Sequence, residues 1–446
     1  MIHDQISDYI SLLAANPLQR CYDSHVHLLA TGEWASQLNL RQVRKLGDFS
    51  CLTIETYHFR NTKDGSDPIL LGQGFDITQY DGDLPTAKDL DVLFPGKRVY
   101  FAQSDGHGGI GNTRALEYFA QQLPQLKSEM FDRRGRILEG MHYAVLGTLR
   151  LEREDLIKML LRAQEIFLEA GFTHVRDMTG QFAEWDLLLE MLADGRWKMC
   201  VESHLALEPF EGGDFKAIER LSDNLAKIKS YQSRSPYFRP LGMKLFYDGT
   251  LGAQTALVSQ DYLCPHKGAG FSRGQRAWNA EAFQLAVRRI WRSGLEVSVH
   301  VLGDQAADEV VSLIRETMAQ TQDGPVFGKL SLEHVELLRP ETIQKMKSMH
   351  VNCYMQPSHA VSDSQWLPDV IGTNVQYAFR WESLLAAGIP VYWGSDSPIM
   401  QPSIELTLQG LLQQTTWKGK NKQSKLLELL RRGHTHPDAS FRAPEI

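Results

Sequence analysis

Eight short apolar segments, separated by stretches of helical character, constrain the fold more than any other feature of this chain. In a parallel sheet both faces of each strand are buried, so its strands appear as continuous apolar runs joined by crossover helices. The segments with this character are Arg20–His27, Gly171–Asp177, Lys198–Leu205, Leu241–Tyr247, Leu295–His300, Lys329–His334, His350–Gln356 and Ile389–Gly394. The intervening stretches with helical periodicity include Glu152–Ala170, Ala280–Gly294 and Pro340–Met349. Eight such units predict an α/β fold, a (β/α)8 barrel of the TIM type.

The first two predicted strands are roughly 140 residues apart, which is far more than a βα loop needs. This gap holds strand-like pieces (SCLTIETYHF, PILLGQGF, RVYFAQ) and a helical stretch, TRALEYFAQQL. We therefore expect an inserted α+β subdomain over the barrel mouth. The predicted organisation is an N-terminal helix with the first barrel strand (1–34), the insertion (35–150), the remaining barrel (151–416) and a basic C-terminal helix and tail (417–446). Beyond about residue 418 the chain is charged and lacks apolar periodicity, so we expect this tail to be dispensable.

Composition narrows the functional class. Hydrophobic residues make up 43% of the 446 residues, the net charge is −7, and there is no long basic block, so nucleic-acid binding is not expected. A membrane span is not expected either, because no apolar run is long enough. The five cysteines are scattered, without a CxxC pair, and the first residues do not form a secretory signal. A cytoplasmic protein acting on a small molecule is predicted, with self-association left open.

A pair of histidines closes the first predicted strand. Alternate residues of a strand face the same side, so His25 and His27 point together at one end of the barrel. Two imidazoles at this spacing can bind one divalent ion. The pair alone is a weak signal, because neighbouring histidines are more often structural.

Four later segments strengthen the signal, because each carries a potential ligand near its C-terminal end. Active sites of β/α barrels lie at that end of the strands, so six candidate groups converge on one mouth. The four further candidates are Lys244, His300, His334 and Asp396. Taken singly, each has a structural alternative: a core histidine, a lysine reaching to the surface, or an aspartate capping a helix.

The same residues lie in longer motifs through which the chain resembles the amidohydrolase superfamily, and within it the YtcJ-like amidohydrolase family 3. The resemblance covers roughly residues 20–405 and follows the family's order. Its motifs include DSHVHLLATG, ILLGQGFD, SDGHGGIGNTRAL, AGFTHVRDM, KLFYDGTLGAQTAL, VSVHVLGDQA, SLEHVELL, MQPSHAVSDSQW and GSDSP.

The resemblance implies a hydrolase with one or two divalent ions, with zinc expected, acting on an amide-type C–N bond. It makes His25, His27 and Asp396 ligands of one ion, and assigns His300 and His334 to a second. Lys244 matches the lysine that is carboxylated in two-metal members and bridges the ions. The implied reaction is attack by a hydroxide held between the metals, with Asp396 as the proton shuttle.

Other residues are predicted to line the substrate pocket. His107, in the glycine-rich SDGHGG stretch of the insertion, is expected to close over the substrate. The four that follow the seventh strand and face the same mouth are Gln356, His359, Asp363 and Trp366.

The sequence departs from the family in one respect. Members usually carry a β-sandwich built from both chain ends, whereas here a helical segment precedes the HxH strand and the basic tail follows the barrel, so we expect no sandwich. Two alternatives stay open. One is a one-metal deaminase, although VHVLGDQA lacks the glutamate expected after the fifth-strand histidine. The other is a non-catalytic binding or regulatory homologue that uses the barrel as a scaffold.

Overall fold

The structure is a computed structural model that describes most of the chain. The described residues are 21–55, 58–104, 106, 108–123, 135–138, 140–149, 152–207, 214–263, 272–319, 328–417, 430, 433–438 and 440–442. The chain divides into two compact units, one formed by Met1–Leu28 with Ala163–Ile446 and the other by Leu29–Arg162. The predicted N-terminal helix and the basic helix after residue 417 lie outside the described residues, and the four predicted domain ranges remain predictions.

The strands in chain order are β1 (Tyr22–Val26), β2 (Leu38–Asn39), β3 (Phe59–Arg60), β4 (Ile69–Phe75), β5 (Arg98–Gln103), β6 (Gly108–Gly111), β7 (Arg136–Leu138), β8 (His174–Gly180), β9 (Cys200–Leu207), β10 (Phe238–Phe246), β11 (Glu296–Val301), β12 (Leu330–His334), β13 (Val351–Met355) and β14 (Val391–Trp393). The helices are α1 (Leu28–Ala35), α2 (Ala87–Leu93), α3 (Thr113–Gln122), α4 (Gly140–Leu146), α5 (Arg153–Glu169), α6 (Phe182–Ala193), α7 (Asp214–Tyr231), α8 (Ala280–Arg292), α9 (Asp304–Ala319), α10 (Pro340–Met346), α11 (Pro357–Asp363), α12 (Leu367–Ile371), α13 (Trp381–Ala386) and α14 (Ile404–Trp417).

The first unit contains the predicted barrel. Its eight-stranded sheet has the order β1-β8-β9-β10-β11-β12-β13-β14, and every neighbouring pair is parallel. All eight predicted strands are present, with ends shifted by a few residues. The helices predicted over 152–170, 280–294 and 340–349 are found as α5, α8 and α10. The TIM-type barrel is therefore confirmed.

The barrel closes where its first and last strands meet. His27 N donates to Ser397 O and Asp396 N donates to His25 O, both at 2.8 Å. This seam requires a glycine at position 394, because a Cβ there would lie 2.6 Å from the Cβ of His25. Real Cβ atoms essentially never approach so closely, so Gly394 lets the two strands come together beside the HxH motif.

The helices of the barrel unit are explained by ordinary sequence signals. Asn279 caps the N-terminus of α8, because its side chain accepts a hydrogen bond from Glu281 N. In the last turn of this helix, Arg289 and Arg292 interact favourably with the negative end of the helix dipole. α10 has a proline in its first turn, where a missing N–H costs nothing. Among the described residues, no helix is both long and apolar enough to traverse a bilayer.

The C-terminal tail is not loose where the structure describes it. Thr435 forms an antiparallel bridge with Cys21, next to the start of β1. His174 Nε2 bonds to Phe441 O at 2.8 Å, and Arg239 Nη1 donates to Asp438 Oδ2 at 2.6 Å. Phe441 is buried. Residues 433–438 and 440–442 thus pack against the first strands of the barrel, which argues against the expectation that the tail is dispensable. These contacts are made by single polar side chains, so no apolar periodicity in the sequence could reveal them.

The second unit is a mixed sheet with helices. Its strand order is β2-β4-β5-β6-β7, with β3 pairing with β4. Two apolar clusters cover opposite faces of the sheet, as the alternation along β5 shows: Phe101 belongs to one cluster and Tyr100 to the other. The strand-like stretches PILLGQGF and RVYFAQ and the helix over 113–123 are found as β4, β5 and α3. The expected strand over SCLTIETYHF is reduced to β3, because Leu46–Cys51 is a 3-10 helix.

Both sheets of the described residues lie inside these units, and neither is a sandwich built from strands of the two chain ends.

Candidate metal centre

The HxH motif lies where β1 ends. His25 is fully buried in the strand, and the side chain of His27, just beyond it, is 18% exposed. The two rings lie edge to face with centroids 5.4 Å apart. The short distance places both imidazoles on the mouth side of the first strand, as the alternation of side chains predicts.

Asp396 completes a compact group with these histidines. Its Oδ1 atom lies 3.3 Å from His25 Nε2 and 3.0 Å from His27 Nε2. Among the described residues, these three supply the group of ligand atoms that all lie within 4.8 Å of one another. Two imidazoles and one carboxylate are the ligands that Zn²⁺ and similar divalent ions bind in proteins. The donor set therefore fits a divalent ion.

The alternative reading of Asp396 as a helix cap is wrong. The next helix, α14, begins only at Ile404, and the Asp396 carboxylate is directed at the two imidazoles. Its charge state agrees with a ligand role. Burial alone would raise the pKa of Asp396, but His25, His27 and His334 hold it well below its usual range. Burial lowers the pKa of His27, against the opposing effect of Asp396. An ionised Asp396 carboxylate beside a neutral His27 imidazole is the protonation state that metal binding requires.

Two of the candidate ligand residues have unusual backbone conformations. His334 has φ of 69° and Asp396 has φ of 58°, and Val335, which is β-branched, has φ of 40°. Left-handed backbone costs a non-glycine residue about 1–3 kcal/mol, and such strain persists where the surroundings over-determine it, often at functional sites. His334 is the last residue of β12, and Asp396 lies just beyond β14, so both strained residues lie at the C-terminal ends of barrel strands.

His300 and His334 lie beside the first group. The His334 ring centroid is 4.6 Å from that of His25 and 4.7 Å from that of His300. His334 Nδ1 is 3.0 Å from Gln356 Oε1, and His300 Nε2 is 3.2 Å from Gly249 O. Burial lowers the pKa of His334 well below its usual value, so this imidazole is neutral. The four histidines thus form one continuous cluster at the mouth.

Lys244 lies in β10 and is fully buried. Its Nζ atom has no hydrogen-bond partner among the described residues. Burial lowers its pKa to about 8, although Glu333 and Asp396 act in the opposite direction. A buried amine with this pKa is partly neutral near neutral pH, and a neutral amine is a nucleophile that an ammonium ion is not.

The predicted pocket residues have different outcomes. Gln356 is buried against His334, and His359 Nε2 lies 3.8 Å from Asp396 Oδ2. Asp363 hydrogen-bonds the buried carboxyl of Glu336, whose pKa is raised well above its usual range, by burial first and then by Asp363. Trp366 is partly exposed at the start of α12. His107 lies outside the described residues. The substrate contacts assigned to all five remain predictions.

Several groups that hold the cluster in place were missed by sequence reasoning. His25 Nδ1 lies 2.6 Å from Glu333 Oε2, His27 Nδ1 lies 3.0 Å from Thr179 Oγ1, and Asp23 Oδ1 accepts a hydrogen bond from Ser395 N. One signal was available for Glu333, because an acid inside an otherwise apolar barrel strand must have a partner. Thr179 had none, since its contact depends on how β1 and β8 are aligned.

Comparison with known proteins identifies a family and several relatives of this chain. The model of the Amidohydrolase family matches residues 22–437. The chain is 25% identical to Protein LONG AFTER FAR-RED 3 of Arabidopsis thaliana, over 84% of this chain and 65% of that protein. It is 26% identical to the provisionally named amidohydrolase YtcJ of Bacillus subtilis, over 88% of this chain and 72% of that protein. The chain thus spans somewhat less than two thirds of the plant relative and more of the bacterial one.

A solved structure shows the same fold. An uncharacterised metal-dependent hydrolase from Pyrococcus horikoshii superposes with a TM-score of 0.67 at 24% identity, over 93% of this chain and 77% of that one. With a family match that runs through almost the whole barrel, this chain belongs to the amidohydrolase family.

Proposed function

We propose that this protein is a metal-dependent hydrolase that cleaves an amide-type C–N bond of a small molecule. The observation that carries the proposal is the buried group of His25, His27 and Asp396, with its ligand atoms within 4.8 Å of one another. His300, His334 and Lys244 adjoin this group and offer donors for a second ion. The proposed metal is zinc, because imidazole and carboxylate donors suit it.

A divalent ion held by these residues would supply Lewis acidity, which activates water and polarises a carbonyl group. The chain itself supplies the proton transfer. Asp396, ionised and beside the cluster, accepts a proton from the attacking water as the C–O bond forms. It then passes this proton to the nitrogen as the C–N bond breaks. His359, 3.8 Å from the second Asp396 oxygen, is placed to contact the substrate or the developing charge.

Lys244 is proposed to become carboxylated. The nitrogen of its neutral amine forms a C–N bond to CO₂ as one C=O π bond opens onto oxygen. The nitrogen then releases a proton to solvent water, which leaves an anionic carbamate. The product has two oxygen donors where an ammonium ion would repel cations. A carbamate at this position favours two ions over one.

The first experiment is elemental analysis of the purified protein, combined with a hydrolysis screen. Two zinc ions per chain, with turnover of N-acyl amino acids, formamides or cyclic amides, are expected. One ion with release of ammonia from a ring amine would favour the deaminase alternative. Absence of metal after zinc reconstitution would favour a non-catalytic homologue and end the proposal.

The second experiment separates the proton shuttle from general destabilisation. Asparagine keeps the shape of Asp396 and one oxygen donor, but it cannot take up a proton at neutral pH. Asp396→Asn should therefore keep most of its metal and lose about 10²–10⁴ in kcat. Asp304→Asn is a matched control, because Asp304 is a buried acid just beyond β11 whose Oδ1 accepts a hydrogen bond from Ser259 N. Equal losses in both variants would refute the assigned role of Asp396.

Several further predictions from the sequence accompany this proposal. His107 is proposed to close over the substrate, with Gln356, Asp363 and Trp366 lining the pocket. A cytoplasmic location and a small-molecule substrate also remain predictions, as does the absence of nucleic-acid and membrane partners. Self-association is left open.

A further inference from the structure

We propose that Glu333 is a positioning residue that fixes the tautomer and the direction of the His25 ring, with Arg176 as its permanent counter-charge. The inference rests on the proposed function in so far as it treats His25 as a metal ligand. Glu333 is not one of the three residues of the candidate metal group.

The contact between Glu333 and His25 is short and dry. Glu333 Oε2 lies 2.6 Å from His25 Nδ1, and both side chains are fully buried. An ionised carboxylate is purely an acceptor, so Nδ1 must carry the proton. In a neutral ring, the other nitrogen, Nε2, then keeps its lone pair. Glu333 therefore selects the Nδ1–H tautomer of neutral His25.

The lone pair on Nε2 points at the candidate metal position. His25 Nε2 has no hydrogen-bond partner among the described residues, although Asp396 Oδ1 is only 3.3 Å away. In the neutral Nδ1–H tautomer, two buried acceptors face each other here, an arrangement that becomes favourable when a cation lies between them. The orientation that Glu333 imposes is therefore the orientation that a ligand needs.

Glu333 is itself fixed through its other oxygen. Oε1 accepts hydrogen bonds from Ser298 Oγ at 2.6 Å and from Arg176 Nη1 at 2.9 Å. Ser298 lies on the neighbouring strand β11, and Arg176 lies on β8, which does not adjoin β12 in the sheet. The ion pair therefore crosses the interior of the barrel. One carboxylate oxygen is occupied by these donors, and Oε2 is left for His25.

Arg176 cannot easily follow a displaced partner. Its Nη1 atom also donates to Ser24 O at 3.3 Å, and its guanidinium carbon lies 3.8 Å from the centroid of the Tyr354 ring. These contacts reach β1 and β13, on either side of the barrel seam. The guanidinium thus holds Glu333 through its charge and one hydrogen bond, while its contacts with Ser24 O and Tyr354 fix its own position.

His27 provides a contrast that makes Glu333 specific. The partner of His27 Nδ1 is the hydroxyl of Thr179, and a hydroxyl can either donate or accept a hydrogen bond. Thr179 therefore does not dictate which nitrogen of His27 carries the proton. A carboxylate partner also makes the imidazole a stronger donor to a metal, and such partners typically change metal affinity by 10–100-fold when removed.

Glu333→Asp tests the proposal, because aspartate keeps a negative charge inside the barrel but is one methylene shorter, so its carboxylate no longer reaches His25 Nδ1 at the 2.6 Å of the wild type. We expect zinc affinity, measured by competition with a chromophoric chelator, to fall by about 10–100-fold. The second readout is independent of metal. In the metal-free protein labelled with ¹⁵N-histidine, His25 should change from a single Nδ1–H tautomer to a mixture. The His25→Gln spectrum assigns the signal.

Glu202→Asp is the matched control. Glu202 is another buried acid of the barrel unit, and its Oε1 lies 3.1 Å from His436 Nε2, outside the candidate metal group. This variant should lower thermal stability without changing zinc affinity or the His25 signal.

The outcomes are distinct. Wild-type zinc affinity in Glu333→Asp, or an unchanged His25 tautomer, would overturn the positioning role and leave the proposed function intact. Failure of the wild-type protein to bind zinc would remove the proposed function, while the tautomer measurement would still decide whether Glu333 orients His25.

Discussion

His434 should make the stability of the barrel unit depend on pH. This histidine is buried, its Nδ1 lies 2.9 Å from Tyr22 O, and its Nε2 lies 3.3 Å from Thr407 Oγ1. Its ring also packs on Phe172, with centroids 5.4 Å apart. Burial lowers its pKa from 6.5 to about 4, opposed by the hydrogen bond to the Tyr22 carbonyl. The folded protein therefore favours neutral imidazole.

The sign and the size of the effect follow from the two pKa values. As the pH falls below 6.5, the unfolded chain takes up a proton at this site before the folded chain does, so stability is lost. The loss is about 2 kcal/mol by pH 5 and approaches about 3 kcal/mol at pH 4 and below, since each pKa unit corresponds to about 1.4 kcal/mol. Above pH 7 the contribution is fully present.

His434→Gln isolates this contribution. Glutamine can still donate to a carbonyl and accept from a hydroxyl, but it does not titrate. Urea unfolding followed by near-ultraviolet circular dichroism at pH 7, 6, 5 and 4.5 gives the free energy of unfolding for both proteins. The difference between them should shrink by about 2 kcal/mol between pH 7 and pH 5. The exposed His350, changed to glutamine, is the control and should leave the profile of the wild type unaltered.

If His434→Gln and the wild type lose stability in parallel over this range, His434 is not the source of the pH dependence. Parallel curves would mean that His434 is protonated equally in the folded and unfolded chains. Its burial beneath β1 would then be looser than the contacts to Tyr22 and Thr407 indicate.

Two further predictions concern the site and the tail. Lys244→Ala should lose at least one of the two metal ions expected per chain, and short carboxylic acids should partly restore turnover by replacing the carbamate; unchanged metal content measured by elemental analysis would contradict the bridging role. A chain ending at residue 432 should melt several degrees below the full chain, because it lacks the Asp438 contact to Arg239 and the burial of Phe441. Calorimetry would show equal melting temperatures if the tail were dispensable.

The barrel was predictable because strand-like segments rich in apolar residues alternate with helical stretches along the chain, and because the order of strands in a barrel follows from right-handed crossovers. That order alone brings β1, β10, β11, β12 and β14 to one mouth, so potential ligands at the ends of these segments could be recognised without side-chain coordinates. The short strands of the insertion were less visible. β6 is Gly108–Gly111, and three glycines and one isoleucine give no β-propensity to detect.

The tail shows a different limit. Residues 433–438 and 440–442 are held by contacts such as that between His174 and Phe441 O, in which a side chain meets a distant backbone atom. No periodicity marks such a contact in the sequence. Charge and missing periodicity are typical of disordered segments, but they are equally compatible with a segment that packs one residue at a time.

The partner of His25 Nδ1 could not be predicted, although the place of His25 at the end of the first barrel strand could. Position at the end of an apolar strand depends on local sequence, whereas the partner of Nδ1 depends on a residue from the opposite side of the barrel. Glu333 directly precedes His334, so one strand supplies both a candidate ligand and the group that orients another. In the sequence SLEH, Glu333 and His334 are neighbours. Only the closed barrel reveals that Glu333 contacts the ring of His25 from another strand.

The seam of the barrel and the candidate metal group are made of the same residues. Asp396 N donates to His25 O, and its carboxylate faces the His25 and His27 rings, so one residue closes the sheet and also offers a ligand. Gly394 sets how closely the two strands approach. Any change that widens this seam must move Asp396 away from the histidines. Metal affinity and barrel stability are therefore coupled through the seam, and a metal bound there would in turn clamp the first strand to the last.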